Sequence, residues 1–199
     1  MRRLLLALPL ALSCCWVSGS ASSKPRKFSR VEEISLKLGA ASIEGSDETD
    51  LEAEGVFMRW KDERLKVSLG KLEGEFDTSK TLKLRVKMGA AELEGVPNLE
   101  LAVDMGAAQV SGLRWGRVRV KKGAALLELA DDFCGLELKA DRGAVGVLVP
   151  EGTKLRVEVE AEDSKVDVDE EIKGEGENLP YLKIWAKKAE VTVLSLIHI

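Results

Sequence analysis

The chain has one histidine, three cysteines and one tyrosine in 199 residues, and aromatics make up only 5% of it. Each scarcity excludes a class of chemistry. His198 is the sole histidine, so a serine or cysteine nucleophile has no imidazole base in the body of the chain, and no G-x-S-x-G elbow occurs. Cys14 and Cys15 sit together in an apolar leader, which leaves Cys134 alone. There is therefore no disulfide framework and no Cys/His spacing for a metal, and Cys134 reads as a small buried hydrophobe. Few aromatics mean few stacking platforms for bases or sugars. A net charge of −4 gives no basic footprint for nucleic acid. After residue 21 no apolar run is long enough to span a bilayer, and no stretch has a convincing 3.6-residue period.

What the chain has is a repeat. Residues 82–129 carry the same phrase three times, as LKLRVKMGAAELEG, LELAVDMGAAQVSG and VRVKKGAALLEL. The glycines that open the GAA triplets, Gly89, Gly106 and Gly123, are 17 apart twice over (106−89 and 123−106). Before the first of them Leu82, Leu84, Val86 and Met88 alternate with Lys83, Arg85 and Lys87, which describes a strand with one face buried. A fixed period of this kind marks a stacked array whose unit is a strand, a small corner, a second strand and a return.

Both ends of the chain read differently. Met1, Arg2 and Arg3 form a basic start, the next residues to Val17 are mostly apolar, and Ser18, Gly19, Ser20 and Ala21 form a small-residue cleavage site. Residues 1–21 therefore read as a secretory signal peptide, which implies export to the periplasm, outer membrane or cell surface. Cys14 and Cys15 are the residues a lipoprotein signal would acylate. For Cys14 the preceding Ala11 and Leu12 are in the wrong order, and for Cys15 the residue just before it is bulkier than usual. Such an anchor would be the chain's one route to a membrane. Residues 22–30 read as a flexible lead-in, 31–193 as the repeat domain, and 194–199 (LSLIHI) as translated sequencing-adapter sequence, which would take His198 with it.

The remaining units are looser. Ile34, Leu36 and Leu38 lead to Gly39-Ala40-Ala41. Residues 46–64 interrupt the pattern, with Val56, Phe57, Met58 and Trp60 in an irregular hairpin that covers one side of the array. Leu65, Val67 and Leu69 restart it before Gly70, where the alanines are missing. Leu136, Leu138 and Ala140 lead to Gly143, 20 residues after Gly123. Two further strand pairs follow, separated by a polar, glycine-rich loop at 170–180.

Glycine fits where backbones approach closely, and alanine keeps stacked corners small at an inter-strand spacing of about 4.8 Å. Gly39, Gly89, Gly106, Gly123 and Gly143 are thus structural corners. The fold class that follows is all-β: a repetitive, flattened β-solenoid of parallel rungs about 17–20 residues long. The rival is an antiparallel β-meander or sandwich. In the stacked register Lys83, Arg85 and Lys87 precede Glu100, Ala102 and Asp104, then Arg117, Arg119 and Lys121, then Glu137, Lys139 and Asp141. Positive and negative rows would then alternate up one face.

The G-A-A/V corners at these five glycines and their alternating flanks resemble a bacterial putative-adhesin family with GAG or GAA repeats. That family is related to the C-terminal domain of LiaF-like, cell-wall-active antibiotic response proteins. The resemblance implies an all-β solenoid in the cell envelope and brings no catalytic residue. The transmembrane helices of LiaF-like proteins are missing here.

Other chemistry competes weakly. Asp131 and Asp132, and the run Asp163, Asp167, Asp169, Glu170 and Glu171, are the acidic candidates for catalysis or weak Ca²⁺ binding. They read as solvated charge, because the EF-hand and glycine-aspartate nonapeptide patterns are absent. The glycine corners are followed by strands, so no phosphate meets a helix N-terminus. Leu126 and Leu148 fall on outward positions and could form a sticky patch. Trp60, Trp115 and Trp185 read as packing at corners or array ends. The expectation is a non-enzyme with no catalytic, cofactor or metal residue: an envelope scaffold or adhesin-like protein whose partner is an envelope protein or surface polymer. The alternative is an accessory protein of an envelope-stress system. Ala102→Lys would put a third positive charge between Arg85 and Arg119, and should lower the melting temperature by the equivalent of roughly 0.2–1 kcal/mol in thermal unfolding.

Overall fold

The computed structural model describes residues 25–196. The signal-peptide reading, Cys14, Cys15 and His198 lie outside the described residues. Among the described residues sixteen strands form one open, mostly parallel sheet. They are β1 Arg26–Phe28, β2 Glu33–Leu36, β3 Gly39–Ser46, β4 Asp50–Gly55, β5 Met58–Lys61, β6 Arg64–Val67, β7 Gly70–Asp77 and β8 Leu82–Glu94. There follow β9 Asn98–Leu113, β10 Trp115–Leu129, β11 Gly135–Asp141, β12 Ala144–Val149, β13 Arg156–Glu162, β14 Lys165–Val168, β15 Tyr181–Lys187 and β16 Glu190–Ser195.

The repeat period is the stacking period. β8, β9 and β10 run parallel with Leu84 opposite Leu101 opposite Val118, and Gly89 opposite Gly106 opposite Gly123. The 20-residue step is kept in register too, with Val118 opposite Leu138 and Ala124 opposite Ala144. Among the described residues antiparallel pairing is confined to β1–β4, β4–β7 and β5–β6. The repeats do not form an antiparallel meander.

The GAA segment is a bend within a strand, not a break between two. β8, β9 and β10 pass through it unbroken, with φ of +138° at Gly89 and +134° at Gly106. The reason for glycine is contact. A Cβ on Gly106 would lie 1.8 Å from the Gly89 carbonyl oxygen, and one on Gly89 would lie 1.8 Å from that of Gly39. Gly39 stands in the same relation to Gly70 at 1.8 Å, Gly123 to Gly106 at 2.1 Å and Gly143 to Gly123 at 2.7 Å. The second alanines, Ala41, Ala91, Ala108 and Ala125, point inward and are buried.

The bend also moves the residue before each glycine. Leu38, Leu69, Met88 and Met105 complete an apolar alternation and so read as core, yet they are 41–45% exposed. The strand turns at the glycine and leaves the preceding side chain on the outside of the corner. In the last three units the corner is built differently: Arg142, Asp163 and Lys188 take left-handed backbone, with φ of 60°, 50° and 51°.

Spatial order departs from chain order at both ends. β2–β3 lies between β6–β7 and β8, because β2 pairs with both β6 and β8 and β3 with both β7 and β8. At the other end β15–β16 lies between β11–β12 and β13–β14. The charge row accounts for the preference. Along the first outward position the spatial series is Arg64, Glu33, Lys83, Glu100, Arg117, Glu137, Lys183, Glu158, each the register partner of the next. Its signs alternate without exception. In chain order Arg64 would meet Lys83 and Glu137 would meet Glu158, two like-charge contacts that the exchanges remove.

Close ion pairs mark the row. Arg64 Nε donates to Glu33 at 3.0 Å, Arg117 Nε to Glu137 at 2.9 Å and Lys183 Nζ to Glu158 at 3.0 Å. Beside it Lys187 Nζ reaches Glu162 at 2.9 Å, and Arg85 reaches diagonally to Asp104 at 3.0 Å. These are surface pairs, so each contributes little alone and the row acts by ordering.

Inward residues of the segments before and after each bend belong to one buried cluster, from Val31 to Val193. Among the described residues none of the buried ones is polar or charged. The irregular hairpin expected at 46–64 covers one end: β4 lies on β7 with Leu51 and Ala53 buried, and β5 lies on β6. The lead-in is not wholly irregular, since Arg26–Phe28 adds to β4 as an edge strand. Nor does strand structure stop at Val193, because Leu194 and Ser195 pair with Leu148 and Val149.

Two measurements check this account. Gly106→Ala should destabilise the protein by roughly 2–4 kcal/mol in denaturant unfolding, since neither backbone at the contact can move without shifting its whole unit. The second concerns pH. The ammonium of Lys183 holds the Glu158 carboxyl below its ordinary value of 4.5, and the Ser79 hydroxyl and amide hold Asp77 below 3.8. Lowered carboxylates stabilise the fold fully above their ordinary values and stop doing so as pH falls through the lowered ones. Hydrogen bonds from Lys187 to Glu162 and from Lys165 to Glu190 raise both lysines above 10.5, so their contribution is lost as pH rises past that value. The melting temperature should therefore be flat between about pH 5 and pH 10 and fall beyond both limits.

Candidate binding surface

The acidic candidates do not converge. Asp132 pairs with Arg114 at 3.2 Å, and Glu170 pairs with Lys173 at 2.6 Å. Asp169 caps the short 3-10 turn Glu170–Ile172 by accepting from the Glu171 amide, and Asp163 forms a left-handed corner. Among the described residues no group of three or more His, Cys, Asp or Glu side chains is placed to hold a metal ion. Cys134 differs from its reading as a buried hydrophobe: it is exposed, and its thiol donates to the Arg114 carbonyl at 3.4 Å.

Leu126 and Leu148 are both half-buried and do not face each other. Leu126 lies over Gly146, where a Cβ would come within 3.0 Å of it, and Leu148 stands beside Leu194. Of the tryptophans, Trp185 lies on the outward side of β15 with the Lys139 ammonium 4.9 Å from its ring centroid. Trp60 lies at the β5 edge, tilted against Phe28 at 6.2 Å, and its indole NH donates to the Arg30 carbonyl at 3.4 Å.

The residues displaced by the glycine bends form a surface of their own. Met88 is the register partner of Met105, and the Gly39–Gly89 pairing sets Leu38 beside Met88. The Gly70 amide bonds the Leu38 carbonyl, and the Val56 amide bonds the Leu69 carbonyl. The result is a continuous strip, Phe57, Val56, Leu69, Leu38, Met88, Met105, with Phe57 71% exposed. Exposed lysines Lys37, Lys87, Lys121 and Lys122 run along it. At the Phe57 end it opens into a shallow cavity of about 460 Å³ bordered by Met58, Arg59 and Arg26. A run of exposed apolar side chains rimmed by charge has the composition of a surface that protein partners cover.

On the opposite side the units from β3 to β8 are acidic. Glu44 lies opposite both Glu75 and Glu94, Glu73 lies opposite Glu52, and Asp50 lies opposite Glu75. Lys27 moderates this at the β1 edge. It bonds Asp50 at 3.1 Å, and that carboxylate raises the lysine above its usual value. Lys71 pairs with Glu73 at the same sheet.

The apolar alternation placed Leu38, Leu69, Met88 and Met105 in the core, and put Val56 and Phe57 in the covering hairpin. A signal was present all the same: Lys122 occupies the equivalent position before Gly123, and a lysine there is incompatible with an inward column. Among the described residues no helix is long and apolar enough to cross a membrane.

No protein-family description matches the chain, and no curated protein matches it. Solved structures similar to it include the following two. One is a putative cell adhesion protein from Clostridium sporogenes, 14% identical, with a TM-score of 0.42 over 88% of this chain and 100% of that one. The other is a putative adhesin from Bacteroides fragilis, 14% identical, with a TM-score of 0.34 over 87% of this chain and 96% of that one.

Proposed function

We propose that the chain is an exported, non-enzymatic scaffold of the cell envelope, adhesin-like in that it works by presenting a surface. We read the stack as a flattened, two-sided solenoid. Parallel in-register units whose two halves share one apolar cluster support that reading. The observation that carries the function is the strip Phe57, Val56, Leu69, Leu38, Met88, Met105. Six large apolar side chains exposed at the bends of neighbouring units add little to the core, which supports a binding role. The partner in this reading is an envelope protein or a surface polymer. The leader and the GAA corners support the envelope setting.

Met88→Lys combined with Met105→Glu should leave thermal stability within about 0.5 kcal/mol of the unsubstituted protein, because both side chains are on the surface and the new charges face each other with opposite sign. The same pair should weaken binding of the purified protein to isolated envelope fractions by about tenfold or more. Unchanged binding would remove the strip from the account. Cell fractionation that left the chain in the cytoplasm, or release of sugars from envelope polysaccharide by the pure protein, would overturn the reading as a whole.

A further inference from the structure

A stack of this kind has two ends, and here they are unlike. At one end the outer strand is β5, paired among the described residues with β6 alone. Its outward residues Arg59 and Lys61 lie opposite Lys66 and Arg64, and the four cations border a cavity of about 220 Å³. Its inward residues are Met58 and Trp60, opposite the buried Val67 and Leu65, and Trp60 is 53% exposed. At the other end the outer strand is β13, paired among the described residues with β15 alone. Its outward residues include Glu158, Glu160 and Glu162, all exposed. Its inward residues Val157, Val159 and Ala161 lie opposite the buried Leu182, Ile184 and Ala186. Val159 is nevertheless 43% exposed, because no further unit covers it.

We propose that the protein associates head to tail with further copies of itself, the β5 edge of one copy adding to the β13 edge of the next. Both faces of the two edges match. On the outside, Arg59 and Lys61 meet the glutamate row. On the inside, Met58 and Trp60 meet the valines and alanine that end the core. β5 runs antiparallel to β6, which is parallel through the stack to β13, so the junction is an antiparallel pair and outward residues face outward residues. It also gives the cations of β5, which stand against Lys66 and Arg64 of their own copy, an acidic neighbour on their free side. Two β13 edges repel one another, and so do two β5 edges, so growth has one direction. A contact between different patches on identical subunits does not close on itself by default, and it yields a linear series. The charges that keep an open edge from pairing at random are the ones that select its partner here.

Sedimentation velocity on the purified protein reads this directly. At about 50 mM salt the weight-average mass should climb with concentration past that of a dimer, and at about 500 mM it should fall back towards the monomer. Glu160 makes no ion pair among the described residues and nor does Arg59, so each can be reversed without breaking one. Arg59→Glu alone and Glu160→Lys alone should each weaken association by about tenfold or more at unchanged melting temperature. An equal mixture of the two variants, and the double variant, should regain it. If either fails to fold, Lys61→Glu and Glu162→Lys provide a second pair of reversals, which also removes the exposed ion pairs Lys61–Asp62 and Lys187–Glu162. A protein that is monomeric throughout, a series that stops at a closed dimer, association indifferent to both reversals, or reversals that do not rescue each other would each overturn the proposal.

Discussion

The structure depends on how closely two backbones approach at the glycine bend. From Gly70 through Gly39, Gly89 and Gly106 to Gly123, each α-carbon sits against the carbonyl of the preceding unit, with no room for a methyl group. A contact this tight sets register more firmly than apolar packing can. Leucine and valine in neighbouring units could slide by two residues and still bury themselves, whereas a glycine opposite anything larger could not. Once the glycines align, the flanking residues align too, until a bulge after Leu127 sets Leu129 opposite Leu113. Inward residues form columns, second alanines stack under the bend, and outward residues face one another across strands.

Register fixes which residues of two units would meet, but not which units are neighbours. The inward columns are too uniform to choose, since Leu84 would pack on Leu65 as readily as on Ile34. Charge is not uniform. The outward row alternates in sign through eight units only because β2–β3 and β15–β16 stand out of chain order. The connections make room for this: Thr78 crosses over Ser46 with its amide bonded to that carbonyl, and the long polar loop at 170–180 carries the chain back to β15. Weak surface pairs that add little to stability can still decide between arrangements that are otherwise equivalent.

The repeat itself was legible in the sequence, because period, alternation and glycine spacing all reflect the same stacking. The 17-residue and 20-residue steps, the parallel charge rows and the covering hairpin at 46–64 follow from it. The exchanges at the ends were not legible from period alone, since period carries no information about neighbours beyond the next unit. The signs of Glu137 and Glu158 held that information in a form visible only once spatial rows were compared. The bend residues of the apolar strip were misplaced for a different reason. Alternation assigns a face on the assumption that the strand is straight, and Leu38, Leu69, Met88 and Met105 stand where it is not. Cys134 shows the same limit, because an exposed thiol and a buried one look alike in a short loop.

The acidic side of the units tests how much the charge pattern is asked to do. There Glu75, Glu44 and Glu94 lie on adjacent strands in matching positions, an arrangement that the other side also contains where Arg119 faces Lys139 and Lys61 faces Arg64. Register is the same on both sides, so repulsion between these carboxylates does not disturb it. Charge pairing therefore does not hold the stack together; the glycine contacts and the apolar columns do. What the alternating side adds is a direction, since a row of paired signs has a positive end at β5 and a negative end at β13. Composition alone, at a net charge of −4, conceals both the separation between sides and the polarity along the stack. The surface chemistry of this protein lies in the placement of its charges, and that placement is set by the backbone contact beneath it.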